Sequence, residues 1–200
     1  MQQPWQPLLD WWFGSAATAA EVAAARSGLW FGKRDSQDNE ARERFAARVE
    51  QALAGELQAW QVDAQAWLAT ILLLDQLPRM LFRDSPRAFA GDPLAQQLVQ
   101  AGVARGWDRQ LRPIQRVFVY LVFEHAEDLA LQDQALRHFS ELCANATASE
   151  QALFAGYLDY AERHQRVIAR FGRFPHRNSV LGRASSAEEL QFLQEPGSRF

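Results

Sequence analysis

The sequence predicts an all-α protein: one domain over residues 1–200, core about 5–195, with seven or eight helices packed in pairs as a bundle or an α-α superhelix. Three observations lead there. Apolar residues recur at helical spacing along nearly the whole chain. Capping residues stand where the periodic runs begin. No Asn-Gly or Asp-Gly pair divides two alternating apolar runs, so no hairpin is signalled.

The elements follow in order. The alanine-rich stretch Ser15 to Gly28 reads either as a short helix or as a mobile connector. Asp38 is placed to cap a helix whose face is Phe45, Val49, Ala52 and Leu53, ending near Gly55. Asp63 caps the next, with Trp67, Leu68, Ile71 and Leu72 inward, and Pro78 is expected to stop it. Asp92 at the cap, Pro93 at the first helical position and Gly106 past the end frame another. Pro113 opens a helix through Val117, Phe118 and Leu121, and Leu129, Leu136, Phe139 and Leu142 mark the one after it. Ser149 starts a long helix through Leu153, Tyr157, Ala161, His164 and Ile168. Near the end, "SSAEELQFL" holds two overlapping capping boxes, Ser185 with Glu188 and Ser186 with Glu189. No fixed repeat period is visible.

Composition narrows the function classes. A net charge of -3 argues against a dedicated nucleic-acid binder. No apolar run approaches the roughly 20 residues of a membrane span, and "MQQPWQPLLDWWFG" lacks the basic and apolar regions of a secretory signal. The expectation is a cytoplasmic protein that binds neither nucleic acid nor membrane, with no cofactor and no metal. Cys143 is the only cysteine and lies in an apolar helical pattern, where it reads as a small core residue.

Three polar clusters interrupt the apolar helices. In "LLLDQLPRMLFRDSP", Asp75 and Arg79 meet if the helix continues, four residues apart; a turn at Pro78 would instead project Arg79 from an irregular segment or onto open helix carbonyls. In "VFEHAEDLALQDQ", Glu124 with Asp128, or His125 with Asp128, share a face if the segment is helical, and carboxylate beside imidazole suits general acid–base work. The alternative is an acidic helix end facing solvent. The third cluster is "RFGRFPHRN". From Arg163 to Ala187 there is no acidic residue, yet Arg163, Arg166, Arg170, Arg173, Arg177 and Arg183 all fall there. Guanidinium groups grip carboxylate or phosphate as a fork, and Asn178 adds a neutral donor and acceptor. Phe171 and Phe174 read as core anchors, His164 as a hydrogen-bonded core histidine. The acidic and arginine-rich segments either staple the C-terminal loop to the core or line a polar pocket.

Several motifs together, "DWWFG", "LWFGKRD", "LLLDQLPRMLFR", "AFAGD", "EHAED" and above all "RFGRFPHRNSVLGR" with "SSAEELQFL", resemble the bacterial "domain of unknown function 924" family. The resemblance runs in order over nearly the whole chain. It implies a TPR-like α-α superhelix of about seven to nine helices and supplies no activity or catalytic residue. The family pattern implies a proline and a serine around "LVFEHAED"; Val122 and Ala126 stand there, so no serine hydroxyl neighbours His125.

These readings lead to a polar pocket that takes a small anionic ligand or an acidic peptide end, formed by Asp75, Arg79, His125, Asp128, Arg173, His176, Arg177 and Asn178. Arg173 and Arg177 are expected to face inward with His176 and Asn178, and if guanidinium groups outnumber carboxylates there, the surplus should draw an anion. The alternatives are a hydrolase-like enzyme with His125 as acid or base, and a scaffolding protein without a ligand. Oligomeric state is not legible.

Overall fold

Two segments are apolar on every side, and helices of that kind belong in an interior. In the computed structural model, which describes residues 3–199, both are central. One is the rod made of α4 (Ala64–Ile71), a π-helical turn (Leu72–Gln76) and α5 (Leu77–Leu81); the other is α7 (Pro113–Glu124). Around them lie α1 (Gln6–Phe13), α2 (Ala19–Trp30), α3 (Asp35–Leu53), α6 (Asp92–Ala104), α8 (Leu129–Ala144), α9 (Gln151–Phe171) and α10 (Ala187–Phe192). With the rod counted once, the described residues form nine helices and no strand. The core runs from Trp5 to Ala161, and a smaller cluster of Val167, Ile168 and Phe174 lies under the C-terminal loop.

Packing follows the apolar faces. The rod meets α3 and α6, α7 meets α2, α6 and α8, and α8 forms a hairpin with α9. That hairpin is antiparallel, because Gln151 of α9 bonds Cys143 while Gln165 bonds Asp133. Cys143 is half-buried against the core, as a small packing residue.

Several local expectations shift. Pro78 does not end its helix. Having no N–H for the Leu74 carbonyl and a ring that crowds it, Pro78 would break a regular helix. The ladder widens just before it, with the Leu77 N–H reaching Leu72 O, and Pro78 falls in the first turn of α5. Arg79 therefore sits on a helix rather than in an irregular segment. Asp38 is not a cap: α3 begins at Asp35, and Asp38 lies buried in its first turn, 2.8 Å from Arg83 Nη2. Asp63 does cap α4, accepting from Ala66 N–H at 2.8 Å. The cap of α6 is Gly91, one residue before Asp92, and that of α9 is Glu150, one after Ser149. Of the two capping boxes, Ser186 with Glu189 is the one that forms. The alanine-rich stretch is a helix, α2, opened by a Thr18–Glu21 capping box. Helix α1, which the sequence reading left without an element, inserts Trp12 and Phe13 against Phe118 of α7.

Gly91 decides how close α6 comes to the rod. A Cβ there would collide with the Leu74 carbonyl, backbone against backbone. Without one, the start of α6 lies on the π-helical turn, and Asp92 arrives beside Arg79.

Candidate functional site

The rod, α6 and α7 converge where their apolar patterns give out. The π-helical turn directs Asp75 inward; its side chain is 0% exposed, and it could not be left there without partners. It has three. His125 Nδ1 lies 2.8 and 3.0 Å from its two carboxylate oxygens. Gln76 Nε2 donates to Oδ2 at 2.6 Å. Arg79 Nη1 lies 3.2 Å from Oδ1 and donates to the Asp75 carbonyl at 2.6 Å. Burial pushes the Asp75 carboxyl up, but Arg79 and His125 outweigh it and hold it below the usual carboxylate range.

Arg79 is bidentate to Asp92, with both N···O distances 3.0 Å. Burial works against its charge, and Asp75 and Asp92 more than restore it. Arg177, on the short turn Pro175–Arg177, donates from Nη1 to the His125 carbonyl at 3.0 Å; the same nitrogen lies 3.7 Å from Asp92. Its guanidinium packs over the rings of Phe174 and Phe89, 4.4 and 4.8 Å from their centroids. Arg177 is 6% exposed, and its Nε has no hydrogen-bond partner among the described residues.

Since an ionised carboxylate only accepts, His125 carries its proton on Nδ1 and presents the lone pair on Nε2. Burial pushes its pKa down and Asp75 pushes it up, with the net shift downward, so the ring is neutral at neutral pH. Its side chain is 17% exposed. Two guanidinium groups, Arg79 and Arg177, thus face two carboxylates, Asp75 and Asp92. Guanidinium groups do not outnumber carboxylates there.

The sequence match now has a structure to sit on: residues 8–197 fit a family described as "Bacterial protein of unknown function (DUF924)". The chain belongs to that family. A solved structure of a protein of unknown function from Agrobacterium tumefaciens is similar to it, with 37% identity and a TM-score of 0.73, covering 88% of this chain and 99% of that one. No curated protein matches the chain. In this member of the DUF924 family, the two departures from the expected pattern are structurally quiet. Val122 and Ala126 are both buried, and α7 runs without a break to Glu124.

The other residues proposed for the pocket divide. His176 is on the same turn as Arg177, its ring centroid 5.6 Å from that of Phe174; burial, then Arg177, pushes its pKa down to about 4. Asp128 does not join: it caps α8, accepting from Leu131 N–H at 3.0 Å, and is exposed. Its spacing from His125 suggested a shared face, but α7 has ended before Asp128, so that face does not exist. Arg173 does not face the site either. It clasps Glu189 of α10 at 2.7 and 2.8 Å. Asn178 is buried but turns away, donating to Ser185 Oγ and accepting from Arg183. Arg183 in turn clasps Glu127, which also accepts from Phe174 N–H. The loop is therefore stapled by Arg173 and Arg183, while Arg177 alone among its arginines enters the site.

Asp92, Phe89 and Gln76 are site residues the sequence reading did not include. Asp92 reads as a cap from its place before Pro93, and only the choice of Gly91 as cap frees it. His164 is buried, as a core histidine should be, and its Nδ1–H points at Tyr160 O at 2.8 Å and at Glu124 Oε1 at 3.0 Å. Burial pushes His164 down to about 3, so this is a neutral contact and not an ion pair.

Burial first, and the charge of Asp75 second, push the Glu124 carboxyl well above its usual range. The folded protein therefore keeps a proton that the unfolded chain releases above about pH 4.3. Stability from this group is complete below that pH and falls as pH rises beyond it. Glu124→Gln, which imitates the protonated acid, should match the wild type near pH 4 and melt higher at pH 8. A variant melting no higher than the wild type at pH 8 would contradict the neutral Glu124.

Proposed function

We propose that the cluster of Asp75, Arg79, His125 and Arg177 binds a small anion, a carboxylate or a phosphate, including the carboxyl end of a peptide. Arg177 carries this reading. Burial, and then the charge of Arg79, push its pKa down to about 10, so the carboxylates around it leave its charge under-compensated. An arriving anion supplies the missing compensation and an acceptor for Nε. The neighbouring Phe174 and Phe89 rings exclude water from the guanidinium faces, which strengthens such a contact. The same proposal places the protein in the cytoplasm as a TPR-like superhelix. Among the described residues no helix is long and apolar enough to cross a membrane.

One observation favours a second reading. Asp75 holds the imidazole of His125 through Nδ1, and among the described residues Nε2 has no hydrogen-bond partner. A base oriented in this way, beside guanidinium groups, suits proton transfer on a bound carboxylate or phosphate ester.

The test is calorimetry and thermal shift with inorganic phosphate, acetate and a short peptide with a free carboxyl end. At about 100 times its dissociation constant, a bound anion stabilises the fold by about 2.7 kcal/mol. Arg177→Ala should abolish the response and Arg177→Lys restore part of it, because lysine lacks the fork. A wild-type protein indifferent to all three anions would overturn the reading and leave the scaffolding alternative.

A further inference from the structure

A second site is built on other residues. A groove of about 410 Å³ lies between the short turn Asp108–Gln110, α7, α8 and the start of α9. Asp108 lines it and is 4% exposed. One of its oxygens, Oδ2, accepts from the Tyr120 hydroxyl at 2.7 Å. The other, Oδ1, is buried and has no partner among the described residues. Buried carboxylate oxygens without a donor are rare, and one on a residue that lines a cavity points to a donor that arrives from outside.

The surroundings specify that donor. The imidazole of His138 stacks on Tyr120, with ring centroids 4.4 Å apart and planes 10° apart, giving the groove an aromatic wall. Burial, ahead of the nearby charges, lowers the His138 pKa, so this wall is neutral at neutral pH. Glu141 adds an exposed carboxylate to the lining. Of the two arginines in the lining, Arg109 is exposed, and Arg116 is committed to backbone, donating to the carbonyls of Leu111 and Arg109 at 3.1 and 2.9 Å. The oxygen without a donor calls for N–H groups, which an anion does not bring. A cation with N–H groups would satisfy it.

We propose that this groove binds a small molecule bearing a primary ammonium group, which donates to Asp108 Oδ1 with Glu141 as the second carboxylate. The site is independent of Arg177, so it stands or falls separately from the anion site.

The experiment is calorimetry on the full chain with n-butylamine, 1,4-diaminobutane, tetramethylammonium and butyrate. The two amines should bind saturably and butyrate should not. Tetramethylammonium, a cation without N–H donors, should bind about tenfold more weakly or worse. Asp108→Asn keeps an acceptor for Tyr120 and removes the charge; it should cost about tenfold or more in amine affinity. Glu141→Gln, at an exposed position that does not threaten the fold, should weaken binding severalfold, and Arg177→Ala should leave it unchanged. Three results overturn the proposal: no saturable amine binding (water then fills the place at Oδ1), butyrate binding as well as butylamine, or unchanged amine affinity in every carboxylate variant that folds.

Discussion

Asp75→Ala will destabilise the protein by about 3–5 kcal/mol, the usual effect of removing one member of a buried ionic cluster. For a chain of this length that is a fall of roughly 6–20 °C in melting temperature. The carboxylate is 0% exposed and answers His125, Gln76 and Arg79 at once. Without it, Arg79 keeps only Asp92 of its two carboxylates, and Arg177 loses one of the negative charges around it. Asp75→Asn keeps the volume, so a comparable loss in that variant separates charge from cavity. The pH dependence has a definite sign. The Asp75 carboxyl is held low in the fold, so its stabilisation is present above the unfolded value of about 3.9 and is lost as pH falls below it. The gap between wild type and Asp75→Ala should therefore narrow in acid. A loss under about 1 kcal/mol at pH 7 would show that the cluster is not the buried ionic network described.

How much of this the sequence discloses depends on the distance over which each feature is determined. Helix class and most helix positions are local properties. The spacing of Trp67, Leu68, Ile71 and Leu72 identifies a buried face by itself. The Asp75–Arg79 contact is equally local, an i,i+4 pair, and was legible on the condition that the helix continued. What the local pattern cannot contain is the widened turn that lets the helix pass Pro78. That turn comes with the close approach of Gly91 to Leu74, seventeen positions away along the chain.

The site lies at the further end of that scale. Asp75 and His125 are separated by 50 positions and meet only because the rod and α7 share the core. Composition identified both as polar interruptions of apolar helices, without showing that they are partners. Within the C-terminal loop, Arg173 and Arg177 looked equivalent in a segment without acids. The positive φ of 69° at Gly172 and the turn at Pro175 send them in different directions, one to Glu189 and one to His125. Asp128 shows the opposite error. An aspartate immediately before "LALQ" is a helix cap by local rules, and those rules prevail over the attraction of a nearby histidine.

Phe174→Ala should cost about 3–5 kcal/mol and silence the anion response together. A large aromatic ring in a fully enclosed position leaves a cavity when truncated, and this one is 0% exposed. Its loss reaches the site by two routes. The Arg177 guanidinium packs 4.4 Å from the ring centroid, so truncation removes one of the two aromatic faces against which that side chain rests. The Phe174 N–H also donates to Glu127, the acceptor of the Arg183 staple, so movement of the loop slackens its tie to the connection between α7 and α8. Phe174→Leu refills much of the volume without the π face. It should recover most of the stability while leaving the anion affinity reduced, because the cation–π contact is absent. The measurement is urea unfolding of the three proteins beside phosphate and acetate titrations. Equal recovery of stability and affinity in Phe174→Leu would assign the ring a packing role alone. A stability loss below about 1 kcal/mol in Phe174→Ala would mean that the loop is held by its ion pairs and not by this anchor, and Arg177 would then owe its position to the His125 carbonyl and Asp92.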